Sequence, residues 1–585
     1  MLGRLPFSEI WVQDFEFLAP PGERQTPICF VARELRSGRT ICLWQNELYA
    51  ARGKAPFSTS SDALHVAYYA SAEWQCYRQL DWPYPQRCVD LFAEFRCETN
   101  GLQLKAGSGL LGALFFFGIP TMAVGDKDLN RSLILSGGPW DETQKRQILD
   151  YCAADVGALA ELFYALLPRI LTRTSNFHYD MGHALLRGRY TASVADMEHR
   201  GVPVDLPVLT KLRSRWPNLR SALIQEIDKS FNVFEGQSFR TALFEAYLQR
   251  HRIPWPKLPS GNLKLDDGTF RSMAKAYPQI SPLRELRHTL SELRLNDLAV
   301  GQDARNRTLL SMFRSKTGRN QPSNSRFIFG PSVWLRSLIT PAPGTVLIHA
   351  DFSAQEIAVA AALSQDERLI QSYLSGDPYL DFARQARLVP PDATKLFHRV
   401  IRDRCKAVVL GVQYGMQADS MALRIGIPRY DAAELIRLHK LTYRKFWRWI
   451  DQNLTAFELG RSIRTPYGWT LHAGPEWKHT ALLNWPMQAS GAEMLRLACI
   501  GLTEAGMGLC APIHDAVLVE APSDDAEGAA EAVRDRMRQA GRLVMGGLDI
   551  RSDIQIIPFG ERYADERGAK MWQTIMRMLD AHEAV

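Results

Sequence analysis

At 585 residues the chain is longer than one hydrophobic core usually serves, so roughly three or four domains or subdomains are expected. Hydrophobic residues at 46%, charged residues at 23% and 14 Trp exclude a disordered or collagen-like chain. A formal net charge of +7 is modest for this length, so binding a polyanion requires the basic residues to cluster.

Nine cysteines without a CxxC pair or regular spacing argue against a disulfide framework or a structural zinc site, and fit a reducing cytosol. The opening Met1-Leu2-Gly3-Arg4-Leu5-Pro6 lacks an apolar signal core. The longest apolar run, Leu110 to Ile119, is too short to span a bilayer, and no membrane association is expected.

In chain order, the first ~175 residues read as an α/β unit. Strands are predicted at Ile10 to Val12, Ile28 to Ala32, Thr40 to Trp44, His65 to Tyr69 and Val89 to Leu91, with helices starting near Ala72 and running from Glu142 to Leu166. From Thr174 to Leu310 the pattern is mainly helical, broken by the Pro-rich stretch Arg252 to Pro259. Beyond Ser311 a strand at Val346 to Ala350, helices from 355 to 457 and a hairpin around His514-Asp515 follow. Basic residues gather at Arg187 and Arg189, at Lys211, Arg213, Arg215 and Arg220, at Arg314, Lys316 and Arg319, and from Lys395 to Lys406. Such runs are either solvated helix faces or phosphate contacts along a groove.

Two carboxylates stand at predicted strand ends, Asp351 after Val346-Leu347-Ile348 and Asp515 in Ile513-His514-Asp515-Ala516. A strand end holds a carboxylate rigidly, and two of them can anchor a pair of Mg²⁺ ions for in-line phosphoryl displacement. Between them Arg402, Lys406, Leu410 and Tyr414 fall four apart on one predicted helix face. The two cations suit a triphosphate, and Leu410 and Tyr414 suit a sugar and base; an amphipathic core helix with two surface cations has the same spacing.

These segments resemble the three ordered motifs of the family A DNA polymerases, the group of bacterial DNA polymerase I and related phage enzymes. Asp351 to Glu356 is similar to motif A, Arg402 to Gly415 to motif B, and His514-Asp515 to motif C. Thr317-Gly318-Arg319 resembles an element contacting the primer-template minor groove, Asn484 to Gly491 a stretch that sets an Asn and a Gln (Asn484 and Gln488) against the duplex, and Arg200 to Asp205 a segment entering the thumb. The resemblance implies that Asp351 and Asp515 hold metals, that Arg402 and Lys406 bind the triphosphate, that Tyr414 stacks near the templating position and that Glu356 excludes a ribose 2′-hydroxyl. A carboxylate closing the sugar pocket leaves an added oxygen poorly bonded, a discrimination polar sites achieve well. Departures are Ala516, Leu410, Ala358 and Thr480, where this family commonly carries an acid, an aromatic residue and two arginines.

Near the amino terminus Asp14 and Glu16 lie two apart on a predicted strand and share a face, and Tyr151 and Asp155 lie four apart on a helix. Together they resemble the tyrosine-bearing DEDD 3′-to-5′ exonucleases, which implies an RNase H-like domain with two further Mg²⁺ ions and a phenol that orients water. Glu73 is preferred over Asp90 as the fourth acid, and its extra methylene is expected to shift the second metal.

The resemblance thus implies an α/β and α+β multidomain enzyme: an exonuclease domain over 1–175 and a right-hand polymerase domain over 176–585, with thumb about 200–310, fingers about 371–455 and palm the remainder. Its expected activity is DNA-directed DNA polymerisation with proofreading, in replication or repair, in a bacterial or phage-infected cytosol. Primer-template DNA and dNTPs are the expected partners, Mg²⁺ the cofactor with Mn²⁺ as a substitute, and a monomer that meets a replisome or processivity factor the expected state. The rival readings are a single-subunit RNA polymerase, and a nuclease or DNA-binding protein with a decayed polymerase site.

Overall fold

Largely apolar runs, buried on both faces in the inner strands, build the first sheet from β1 (Glu9–Leu18), β2 (Thr26–Glu34), β3 (Thr40–Trp44), β4 (Ala63–Ala67) and β5 (Cys88–Asp90). The computed structural model of the protein describes residues 2–120, 124–174, 176–292, 295–474 and 477–581. The sheet order is β3-β2-β1-β4-β5, with only β2 running against the others. One face buries Trp11, Phe15 and Phe30 against Trp74 and Tyr77 of helix α1 (Ser71–Gln79). After α2 (Leu91–Thr99), the other face buries Val12, Ile28 and Val31 against Ile148, Cys152 and Leu159 of α3 (Glu142–Ile170). By length and composition α3 could cross a membrane, and half of its apolar window is buried inside the protein. Here that apolar face covers the sheet.

Helix α4 (Phe177–Arg200) carries the chain out of this unit and stays packed on it. The contact depends on Gly188, because a Cβ there would overlap the Cys88 carbonyl. The expected domain boundary at 175 lies outside the described residues. Helices Leu206–Asp228, Thr241–Arg250, Asp267–Ala276 and Ser281–Glu292 follow, with the Pro-rich stretch as an irregular connection.

The second sheet is antiparallel throughout. Its first strand in the chain is β6 (Thr345–Phe352), followed by α5 (Gln355–Ser364). A run of helices that includes α6 (Arg399–Gln413) and α7 (His479–Glu504) separates β6 from β7 (Gly508–Ile513), β8 (Ala516–Pro522) and β9 (Ser552–Ile557). The order is β7-β8-β6-β9, so β6 is central and β9 an edge. Cross-strand register places Asp351 opposite Ala516 on β8 and opposite Asp553 on β9. The Phe352 N–H donates to the Asp515 carbonyl at 3.1 Å, which ties the β7–β8 turn to the end of β6. That turn needs His514 in the left-handed region, at φ 55°.

Candidate active sites

Asp351 is the penultimate residue of β6 and Asp515 lies in the β7–β8 turn, so the sheet brings two acids 164 positions apart to one point. Their carboxyl groups lie close enough to interact directly. Burial pushes Asp351 up to about 7, with the Asp515 and Asp553 carboxylates adding to the shift. Asp351 Oδ1 is buried and accepts no hydrogen bond from any described residue. A buried acceptor without a donor, among acids that repel one another, suits a divalent cation.

Glu356 sits in the first turn of α5 and accepts at 2.8 Å from the Tyr414 hydroxyl. Gln488 on α7 donates to the same hydroxyl at 3.1 Å, and Arg319 Nη2 lies 4.0 Å from Glu356. Four residues from four segments therefore meet. Asn484, one turn before Gln488, is buried, and burial also lowers the pKa of His514. A cavity of about 250 Å³ lies alongside, lined by Tyr190, Arg319, Asn320, Phe327, Arg496 and His514 among others.

Helix α6 carries Arg402, Lys406 and the half-buried Leu410, but Tyr414 lies one residue past its end. The helix stops because Gly415 turns left-handed at φ 71°, and a Cβ there would press into Thr480 and Leu483 of α7. The turn frees the Tyr414 ring to reach Glu356. Arg402 is engaged with Asp377 at 2.5 Å and Asp403 at 3.1 Å, and both it and Lys406 lie over the Tyr379 ring, at 5.4 and 5.5 Å. Asp377 and Tyr379 went unnoticed in the sequence, although Asp377-Pro378 has the form of a helix start. Asp553 was also missed.

In the amino-terminal unit Asp14 and Glu16 lie on β1 with Cys152 of α3, their ligand atoms all within 4.8 Å of one another. Tyr151 is raised by burial and by Asp155, Glu16 and Asp14, which puts all four groups in one cluster. Glu73 is 4% exposed, accepts from the Phe15 N–H at 2.8 Å, and is raised by burial and then by Asp14. Asp90 does different work, capping α2 through Phe92 and Ala93 and accepting from the Tyr69 and Ala70 N–H groups. Cys152, the buried neighbour of Tyr151, gave no signal in the sequence.

The basic clusters correct one expectation. Arg187 is not on a groove: it is 5% exposed and locked to Glu94 of α2 at 2.6 and 3.0 Å. Arg189 pairs with Glu504, and Arg213 donates to the Leu295 and Leu298 carbonyls. These cations join structural units, so sequence clustering overstated the surface charge available to a polyanion.

The protein is similar to DNA polymerase I of Chloroflexus aurantiacus, with 27% identity over 395 residues, 62% of this chain and 41% of that protein. The thermostable DNA polymerase I of Thermus filiformis is 25% identical over 427 residues, 66% of this chain and 49% of that one. DNA polymerase I of Aquifex aeolicus is 23% identical over 437 residues, 68% of this chain and 73% of that one. The chain spans about half the length of the first curated relatives it matches. Its fold is shared with the POL domain of Pol1 from M. smegmatis, solved in complex with DNA primer-template and dNTP, at a TM-score of 0.71 and 17% identity, covering 95% of this chain and 96% of that one. The model of DNA polymerase family A matches residues 208–556, more than half of the sequence and the part that holds Asp351, Arg402 and Asp515, and the chain belongs to that family.

Proposed function

We propose that the protein extends a DNA primer 3′-hydroxyl with dNTPs on a template, and that its amino-terminal unit, residues 1–175, removes mispaired 3′ ends. The observation that carries the reading is the meeting of Asp351 and Asp515 at one sheet end in a chain of this family. Residues 176–585 then form the polymerase, with the helical stretch about 200–310 as thumb, about 371–455 as fingers and the second sheet within the palm.

Asp351 and Asp515 would hold divalent ions, since buried Asp351 Oδ1 lacks a donor and carboxylate oxygens suit hard cations. Bound Mg²⁺, or Mn²⁺ in its place, would lower the pKa of the primer hydroxyl and neutralise the leaving pyrophosphate. Arg402 and Lys406 would take the triphosphate once Arg402 exchanges Asp377 for phosphate oxygens, a swap between two charge-assisted partners. Glu356, held by the Tyr414 hydroxyl, would close the sugar pocket against a 2′-hydroxyl. That contact favours the DNA reading over RNA synthesis. Arg319, Asn484, Gln488 and His514 would line the duplex beside the cavity.

In the editing site Asp14, Glu16, Glu73 and Asp155 would bind two ions, and Tyr151 would orient the attacking water. Glu73 is preferred to Asp90 because it faces Asp14, whereas Asp90 caps a helix.

The test is a labelled primer-template with dNTPs or NTPs, beside a single strand of the same sequence. Extension with dNTPs and shortening of the single strand are expected. Extension with NTPs alone, or none at all, would overturn the reading.

A further inference from the structure

Asp351 has a direct neighbour on each side across the second sheet, and only one of them is an acid. Ala516 on β8 offers a methyl group, and Asp553 on β9 offers a carboxylate. Directly opposed residues in antiparallel strands present their side chains to the same face with Cβ atoms about 4.5–5.5 Å apart, so Asp553 shares the Asp351 face. Along β9 exposure alternates, with Asp553 and Gln555 outward and Ile557 buried where the strand enters the core. The carboxylate therefore stands at the open end of the sheet, where Asp515 also lies.

The surroundings of Asp553 fix it without neutralising it. Ser353 Oγ donates to its Oδ2 at 2.8 Å, and the Ser353 N–H donates to the Arg551 carbonyl at 2.9 Å, which clamps the chain after β6 to the start of β9. Arg551 itself turns away to the Tyr373 and Gly376 carbonyls and stacks on Tyr373. Among the described residues no lysine or arginine forms an ion pair with Asp553. Three carboxylates thus face one point, none of them in an ion pair with a lysine or arginine among the described residues, and their repulsion is relieved when a cation binds.

Resting on the polymerase reading above, we propose that Asp553 is the third acid of this site, holding a divalent cation together with Asp351 and Asp515 from the side of the sheet opposite Ala516. An exposed aspartate on an edge strand has a plainer use, since charge there discourages pairing with another chain. The two roles predict different behaviour toward metal ions.

The measurement is Mn²⁺ affinity by electron paramagnetic resonance on the DNA-free full-length chain, in a background carrying D14A and E16A so that the amino-terminal site is silent. Asp351→Asn serves as the positive control for loss. Asp553→Asn is expected to weaken Mn²⁺ binding by at least about tenfold while thermal melting in EDTA is unchanged. Adding Ala516→Asp to Asp553→Asn is expected to recover part of the lost affinity, because position 516 mirrors 553 across β6. In the wild-type background, primer extension is expected to shift to higher Mg²⁺ demand in Asp553→Asn. Unchanged Mn²⁺ affinity in Asp553→Asn, with loss in Asp351→Asn, would overturn the proposal. If the wild-type chain extends no primer while Asp553→Asn still loses Mn²⁺, the acid triad stands and the polymerase reading falls.

Discussion

Glu94 tests how the amino-terminal unit is held to the rest of the chain. Its carboxylate is fully buried and receives Arg187 at 2.6 and 3.0 Å and Arg173 at 2.5 Å, and Arg187 reaches on to the Tyr467 carbonyl at 3.2 Å. Burial alone raises a carboxyl pKa, yet the two guanidiniums win and hold Glu94 down at about 2. Against the ordinary glutamate value of 4.5, that depression corresponds to about 3 kcal/mol of stability at neutral pH. Because the folded value is depressed, that stability is complete above pH 4.5 and fades as pH falls toward 2. Glu94→Gln should therefore cost about 3 kcal/mol at pH 7, in line with the usual penalty for stranding buried cations. Urea denaturation followed by Trp fluorescence checks this, with the gap between wild type and variant narrowing by about 1.4 kcal/mol per pH unit below 4.5. A gap under 1 kcal/mol at pH 7, or one that does not narrow in acid, would refute the reasoning.

Other outcomes follow from the two sites. Glu356→Ala should lower discrimination against NTPs by at least about tenfold in single-nucleotide incorporation, since the carboxylate held by Tyr414 is gone. Glu73→Gln should reduce 3′ degradation by about 10- to 100-fold with stability unchanged, because the buried carboxyl already disfavours its charge beside Asp14. Asp90→Ala should do the reverse, keeping degradation but losing about 1–2 kcal/mol with the helix cap, measured by the same urea titration.

What could be read in advance was local. The segments of β1 to β5, the long α3 and the β7–β8 hairpin are legible in the sequence, although the strands expected to end at Tyr69 and Leu91 stop at Ala67 and Asp90, and Asp351, Asp515, Asp14, Glu16, Tyr151 and Asp155 lie on or beside the predicted elements. Two of the missing pieces depend on pairings that sequence spacing does not encode. Asp553 matters only through the register of β9 on β6, and a slip of one residue would turn it to the other face. Arg187 looked like surface charge because its partner, Glu94, is 93 positions away on another element. Tyr414 fits the spacing of α6 yet lies beyond its end, since the packing of Gly415 on α7 overrides helical continuation. Cys152 shows the same limit: its approach to Asp14 and Glu16 appears only when α3 lies across β1.

One measurement bears most directly on the central claim: a single labelled primer-template given dNTPs and Mg²⁺, with the full-length protein and its Asp515→Ala variant side by side. The wild type should lengthen the primer, and the variant should lengthen none while still shortening a single strand from its 3′ end. Equal extension by both, or shortening abolished together with extension in the variant, would contradict an account in which Asp351 and Asp515 form one centre and the amino-terminal acids another.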